Sequence, residues 1–126
     1  MTKDAILAEG PDSYMLKAIG GDVNNTSGRT AFDAMRAGDA TGAAVVDKYI
    51  DYLACGISNM LNIFQPDVLC IGGGVSKEGD YLIKPLYEKI KKEIYTKDGA
   101  FETKICVATL GNDAGVIGAA FLENLY

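Results

Sequence analysis

Between Ala40 and Phe64, apolar side chains return every three or four residues, at Val46, Tyr49, Ile50, Leu53, Ile57, Met60, Leu61 and Phe64. That interval places them on one stripe of a helix, so the segment is read as the longest helix of the chain, with its stripe against a core. Asp39 supplies a helix-capping carboxylate in front of it, and Pro66 ends it. Gly56 lies inside the stripe, where glycine costs up to about 1 kcal/mol relative to alanine. Its presence points to close approach of another backbone at that position.

The pattern then changes. Asp67-Val68-Leu69-Cys70-Ile71-Gly72 is an uninterrupted apolar run of strand length, as expected of a strand covered on both faces in a parallel sheet. From Asp80 to about Thr96, Leu82, Ile83, Leu86, Tyr87, Ile90 and Ile94 share one side while Lys84, Glu88, Lys91, Lys92 and Glu93 share the other. This predicts an amphipathic helix with Pro85 near its first turn, where a missing backbone donor matters least. Lys104 to Thr109 reads as a second buried strand, and Ala114 to Leu122 as a closing helix. Strand, helix and strand at this spacing form a βαβ unit, expected to be right-handed.

Ahead of the long helix the pattern predicts three short ones. Thr2 caps a helix over Lys3 to Glu9, broken by Gly10-Pro11; a second runs from Asp12 or Ser13 to Ile19. After the turn Gly20 to Asn25, Ser27 caps a third through Phe32, Met35 and Ala37, stopped by Gly38.

Composition narrows the function classes. The 126 residues suffice for one continuous core, and 48% hydrophobic against 23% charged residues excludes intrinsic disorder. Net charge is −5 with no basic cluster, so neither nucleic acid nor an anionic membrane surface is an expected partner. No apolar run approaches the roughly 18 residues of a membrane span, and Met1 to Gly10 lacks the layout of a secretory signal, which makes the cytoplasm the expected location. Cys55, Cys70 and Cys106 are odd in number and set in apolar sequence, as reduced core thiols would be. Their spacing matches no zinc site, and no structural zinc is expected. There is no histidine, so imidazole chemistry is excluded from this chain.

The candidate binding element is Ile71-Gly72-Gly73-Gly74-Val75-Ser76, three glycines at the carboxyl end of a buried strand, where ligands of open α/β sheets collect. The dinucleotide fingerprint needs a glycine where Lys77 stands, and the phosphate loop needs a lysine where Asp80 stands. Two readings stay open on pattern alone: a tight strand-to-helix turn, or a surface on which backbone approaches a ligand.

Read with their flanks, Ile57-Ser58-Asn59-Met60-Leu61-Asn62-Ile63-Phe64-Gln65-Pro66-Asp67-Val68-Leu69-Cys70-Ile71-Gly72-Gly73-Gly74-Val75-Ser76 and Leu110-Gly111-Asn112-Asp113-Ala114-Gly115-Val116-Ile117-Gly118-Ala119-Ala120 closely resemble the C-terminal part of the ROK family. That family holds bacterial glucokinases, other sugar kinases and sugar-responsive repressors. The resemblance runs from about Ser27 to Leu122, and Met1 to Asn25 resembles the family only loosely. It implies an α/β fold: an incomplete C-terminal lobe of the actin-like ATPase (ribonuclease H-like) fold, with a short parallel sheet, a βαβ unit and flanking helices. Three regions follow: 1–25, short helices and loop; 26–122, the C-terminal lobe; and 123–126. The last, Glu123-Asn124-Leu125-Tyr126, equals the start of a widely used protease tag site and also reads as a helix end.

The resemblance further implies the ATP-facing lobe of a glucokinase-like sugar kinase that phosphorylates a hexose, with ATP and Mg in the complete enzyme. Gly72, Gly73, Gly74 and Val75 would border the adenosine, with Ser76 and Lys77 beside them. Gly115, Gly118 and Ala119 would give a small-residue face at the connection between lobes, for tight packing or sliding. The family's phosphate turn, catalytic aspartate, glycine-rich hairpin, sugar motif and zinc loop have no counterpart here. Asn112-Asp113 sits in the closing motif, so no catalytic residue is assigned, and Asp113 is expected to cap the helix that follows. The chain is therefore expected to be inactive alone, to meet its hexose through an N-terminal lobe, and, with one sheet edge unpaired, to form a homo-oligomer through a strand or a helix face or to adhere to a separately encoded first lobe. The alternatives are the lobe of a ROK-type repressor, disfavoured because no basic recognition helix precedes Ser27, and a non-catalytic interaction module.

Overall fold

The structure, a computed structural model, describes residues 1–95 and 103–122, with the backbone alone at Asn112 and Ala114. The reading of 123–126 as tag remnant or helix end lies outside the described residues. The chain divides into two compact units, Met1–Gly56 and Ile57–Tyr126.

In the first unit, α1 (Thr2–Glu9), α2 (Tyr14–Ala18), α3 (Thr30–Arg36) and the opening turns of α4 (Ala40–Phe64) gather around Ile6, Met15, Phe32, Ala34, Val46 and Ile50, all buried. Buried Ser13 starts α2, its hydroxyl accepting the Leu16 N–H at 3.4 Å. Two expected caps are corrected. Thr2 is the first residue of α1, with Met1 in the cap position. Ser27 precedes α3: its Oγ accepts the Arg29 N–H at 3.3 Å and its own N–H donates to Thr30 Oγ1 at 3.0 Å, which forms a turn and delays the helix to Thr30.

The corner between α3 and α4 is fixed by chemistry on both sides. Gly38 has φ +88° and its N–H donates to Met35 O, while the Asp39 N–H donates to Ala34 O at 3.0 Å, the paired bonds of a Schellman end. Asp39 then caps α4, its Oδ2 accepting the Gly42 N–H at 2.6 Å. The helices come so close that a Cβ on Gly42 would stand 2.6 Å from Ala34 Cβ and 3.0 Å from Met35 N. Close approach thus belongs to Gly42. Gly56, where the sequence pattern predicted it, is exposed, and an added Cβ meets nothing within 4 Å.

The second unit contains the expected strand, helix and strand. After Leu61 accepts the last helical bond from Gln65, that residue turns left-handed at φ +44° and Pro66 ends α4. Strands β1 (Val68–Ile71) and β2 (Lys104–Val107) pair in parallel, Val68 with Lys104 through Ile71 with Val107, in a sheet that has two strands among the described residues. The crossover helix α5 (Asp80–Glu93) buries Leu82, Leu86 and Ile90 completely. Pro85 lies in its second turn, not its first, so the bond from position 85 to the Tyr81 carbonyl is lost and the buried leucines flanking it hold the helix together. Helix α6 covers Ala114–Leu122 as expected.

Two expectations about burial are overturned. The sheet is not covered on both faces: Val68 is 54% exposed and Cys70 is exposed, while Ile71, on the other face, is buried. The thiols are not core groups, because Cys55 and Cys70 are exposed and Cys106 is half-buried. An alternating strand burial of this kind gives no polar signal when the open face carries Val and Cys.

The two glycines of α4 give opposite expectations. Gly42→Ala loses about 1 kcal/mol or more of stability through overpacking against Ala34, whereas Gly56→Ala gains up to about 1 kcal/mol from helix propensity. Denaturant unfolding of the two variants checks both signs.

Candidate functional site

The carboxyl end of β1 carries the chain into the glycine turn, beside the carboxyl end of its parallel neighbour β2. After Ile71, Gly72 and Gly73 lead into a tight 3-10 turn over Gly74–Glu78, and Gly79 opens α5. Gly73 has φ +79° and ψ −172°, a conformation reserved to glycine because a Cβ would strike the backbone. Its carbonyl is held twice from within the turn, by the Ser76 N–H at 3.2 Å and by the Ser76 hydroxyl at 2.7 Å. Ser76 is buried for that reason and its hydroxyl points into the turn.

Gly72 and Gly74 differ from Gly73. Neither has a positive φ, both are exposed, and an added Cβ meets only Ala108 Cβ at 3.8 Å from Gly72 and nothing within 4 Å from Gly74. The fold of this chain therefore does not demand glycine at these two positions. Val75 is half-buried, and Lys77 is exposed. All five predicted residues, Gly72 to Ser76, thus share one short turn on one unit.

The electrostatics sort one ligand chemistry from another. Asp80, in the first turn of α5, occupies the helix end that would otherwise attract a phosphate. It pairs with Lys84 at 2.7 Å, and that pairing raises the lysine pKa. Among the described residues no group of three His, Cys, Asp or Glu side chains is assembled that could hold a metal.

Two features escaped the sequence reading. Glu78 is buried within the turn, which nothing in the pattern announces. Cys70 and Cys106 lie side by side with sulfurs 3.2 Å apart. Each is the third residue of its strand, in VLCI and in KICV, so in-register parallel pairing would have brought them together on paper.

A model of the ROK family matches residues 12–124. The chain belongs to the ROK family. It is 43% identical over 96 residues to a glucokinase of Halalkalibacterium halodurans, covering 75% of this chain and 28% of that protein. To a glucokinase of Thermotoga maritima it is 33% identical over 118 residues, covering 90% of this chain and 37% of the relative. A crystal structure of a ROK family glucokinase from Streptomyces griseus in complex with glucose and AMPPNP superposes on 95% of this chain and 39% of that one, with a TM-score of 0.77 and 25% identity. The α/β architecture with parallel strands is that of ROK sugar kinases, and the chain spans roughly a third of the length of these relatives. No helix among the described residues is long and apolar enough to cross a membrane.

Substitutions in this ROK turn separate backbone demand from open space. Gly73→Ala costs about 1–3 kcal/mol of stability and Ser76→Ala about 1 kcal/mol for the lost buried hydrogen bond. Gly74→Ala leaves the unfolding midpoint close to that of the parent in thermal melts.

Proposed function

We propose that this chain is the ATP-facing part of a ROK-type sugar kinase that transfers a phosphoryl group from ATP to a hexose, with the turn Gly72 to Ser76 bordering the adenosine. The observation that carries the reading is the pair Gly72 and Gly74: glycines that the backbone does not require, set in open space at the carboxyl end of a parallel strand. A side chain at either would fill the space a nucleoside needs. The Asp80 carboxylate favours the nucleoside side of ATP over its phosphates at this end of α5. The AMPPNP and glucose bound by the Streptomyces griseus relative support the nucleotide and the hexose as ligands of the longer protein.

When bound, ATP with Mg supplies the phosphoryl group and the charge neutralisation that its transfer needs. The residues of this chain hold the nucleoside end; none is assigned to the metal, to the hexose or to the proton of the acceptor hydroxyl. Those roles, together with the sugar-binding lobe, belong to sequence that matches the rest of the family. On this reading 26–122 forms one functional piece, and the chain alone does not turn over.

Large apolar side chains stand open: Ile63 is 72% and Phe64 70% exposed, and α6, apolar all round, exposes Val116 at 74% and Phe121 at 65%. Helices of that composition are covered in an intact protein. In a ROK-length protein the remaining sequence covers them, and in this chain alone a second copy does. Light scattering is expected to show association that grows with concentration; a stable monomer at high concentration contradicts it.

Calorimetric titration with ATP tests the site. Binding is expected, and Gly74→Leu is expected to weaken it at least tenfold with an unchanged melting midpoint, while a coupled assay with glucose and ATP shows no turnover by the chain alone. Unaltered affinity in Gly74→Leu, or glucose phosphorylation by this chain, overturns the reading.

A further inference from the structure

The face of the sheet opposite Ile71 carries a pair of thiols that nucleotide binding does not use. Register places Cys70 directly across from Cys106, on neighbouring parallel strands. Residues so paired sit about 4.8 Å apart along the sheet, within the roughly 4.4–6.8 Å window between α-carbons that a disulfide spans. Their sulfurs are already 3.2 Å apart, with Cys70 exposed and Cys106 half-buried, and Val68 on the same face is 54% exposed. A small reagent reaches this face without opening the fold.

We propose that Cys70 and Cys106 form a dithiol modification site, closed to a cross-strand disulfide by low-molecular-weight disulfides. One protein thiolate attacks a sulfur of the small disulfide, giving a mixed disulfide and releasing one small thiol. The neighbouring cysteine loses its proton to solvent and attacks the protein-bound sulfur of that mixed disulfide, forming the Cys70–Cys106 bond and expelling the second small thiol. The protein pair gives up two hydrogens and two electrons, and the small disulfide is reduced to two thiols. The second step is fast because the attacking sulfur is already in place.

The Cys106 thiol beside Cys70 holds the Cys70 pKa above its ordinary value, through their hydrogen bond first and burial second. Closure would fasten β1 to β2 immediately before Ile71 leads into the glycine turn, joining positions 36 residues apart in sequence. The third thiol, Cys55, is exposed on α4 and has no remaining cysteine in the chain to pair with. It serves as an internal control.

The test treats the full chain with excess oxidised glutathione under native conditions, followed by mass spectrometry of intact protein and of peptides. The expected product carries one glutathione, on Cys55, and has lost two hydrogens through a bond linking Cys70 to Cys106. Cys106→Ser is expected to retain glutathione on Cys70, since nothing then displaces it. A glutathione that persists on Cys70 or Cys106 of the parent chain, a pair still reduced when Cys55 is modified, or a bond formed between copies overturns the proposal. Should Cys106→Ser fail to fold, the peptide map of the parent decides alone.

Discussion

Parallel pairing of two four-residue strands is the constraint on which the second unit depends. Such strands cannot be joined by a hairpin; the chain must leave the carboxyl end of one and travel back to the amino end of the other. Between β1 and β2 that return is made by the glycine turn and α5, and the three fully buried side chains of α5, Leu82, Leu86 and Ile90, hold the crossover in place. The same geometry sets the carboxyl ends of both strands together. Gly72 therefore comes to lie beside Ala108, and Cys70 beside Cys106.

At the end of β1 the glycines serve two physical purposes. Gly73 is required by the backbone, since φ +79° with ψ −172° admits no side chain, and Ser76 locks that conformation by bonding its carbonyl twice. Gly72 and Gly74 are required by neither backbone nor neighbours in this chain. In the proposed reading, a nucleoside lying against the turn supplies the reason for glycine at both positions. Asp80, at the start of α5, stands where a phosphate loop would carry its lysine, and in the proposed reading it favours a neutral part of the nucleotide over the phosphates.

Much of this was legible in the sequence, because periodicity reports burial on one face well. The long helix, both strands, the crossover helix and α6 follow from apolar spacing, and Asp39 and Pro66 mark the ends of α4 as their chemistry dictates. What escaped were facts that depend on which partner an element meets. Gly56 and Gly42 look alike in a helical pattern, yet only the corner fixed by Gly38 and Asp39 brings Ala34 against Gly42. The run VLCI reads as a strand buried on both sides, because Val and Cys leave no polar mark on an open face, whereas in KICV the exposed Lys104 carries that mark at the start of the strand. The glycine turn was visible as a candidate, but only its dihedral angles separate Gly73 from its neighbours. Ser27 shows a further limit: a capping residue type also builds a turn ahead of a helix, and the backbone of Arg29 and the hydroxyl of Thr30 decided between the two.

The family supplies what the residues alone do not, a relative solved in complex with glucose and AMPPNP. The central claim is that the nucleoside of ATP lies on Gly72 to Ser76. Amide shift mapping of the isotopically labelled chain, titrated with a non-hydrolysable ATP analogue, addresses it most directly. The account predicts that the largest perturbations fall on Gly72, Gly73, Gly74, Val75 and Ser76 and on the adjoining Ala108. Perturbations centred on α1 to α3, or none at the glycine turn at saturating nucleotide, would contradict it.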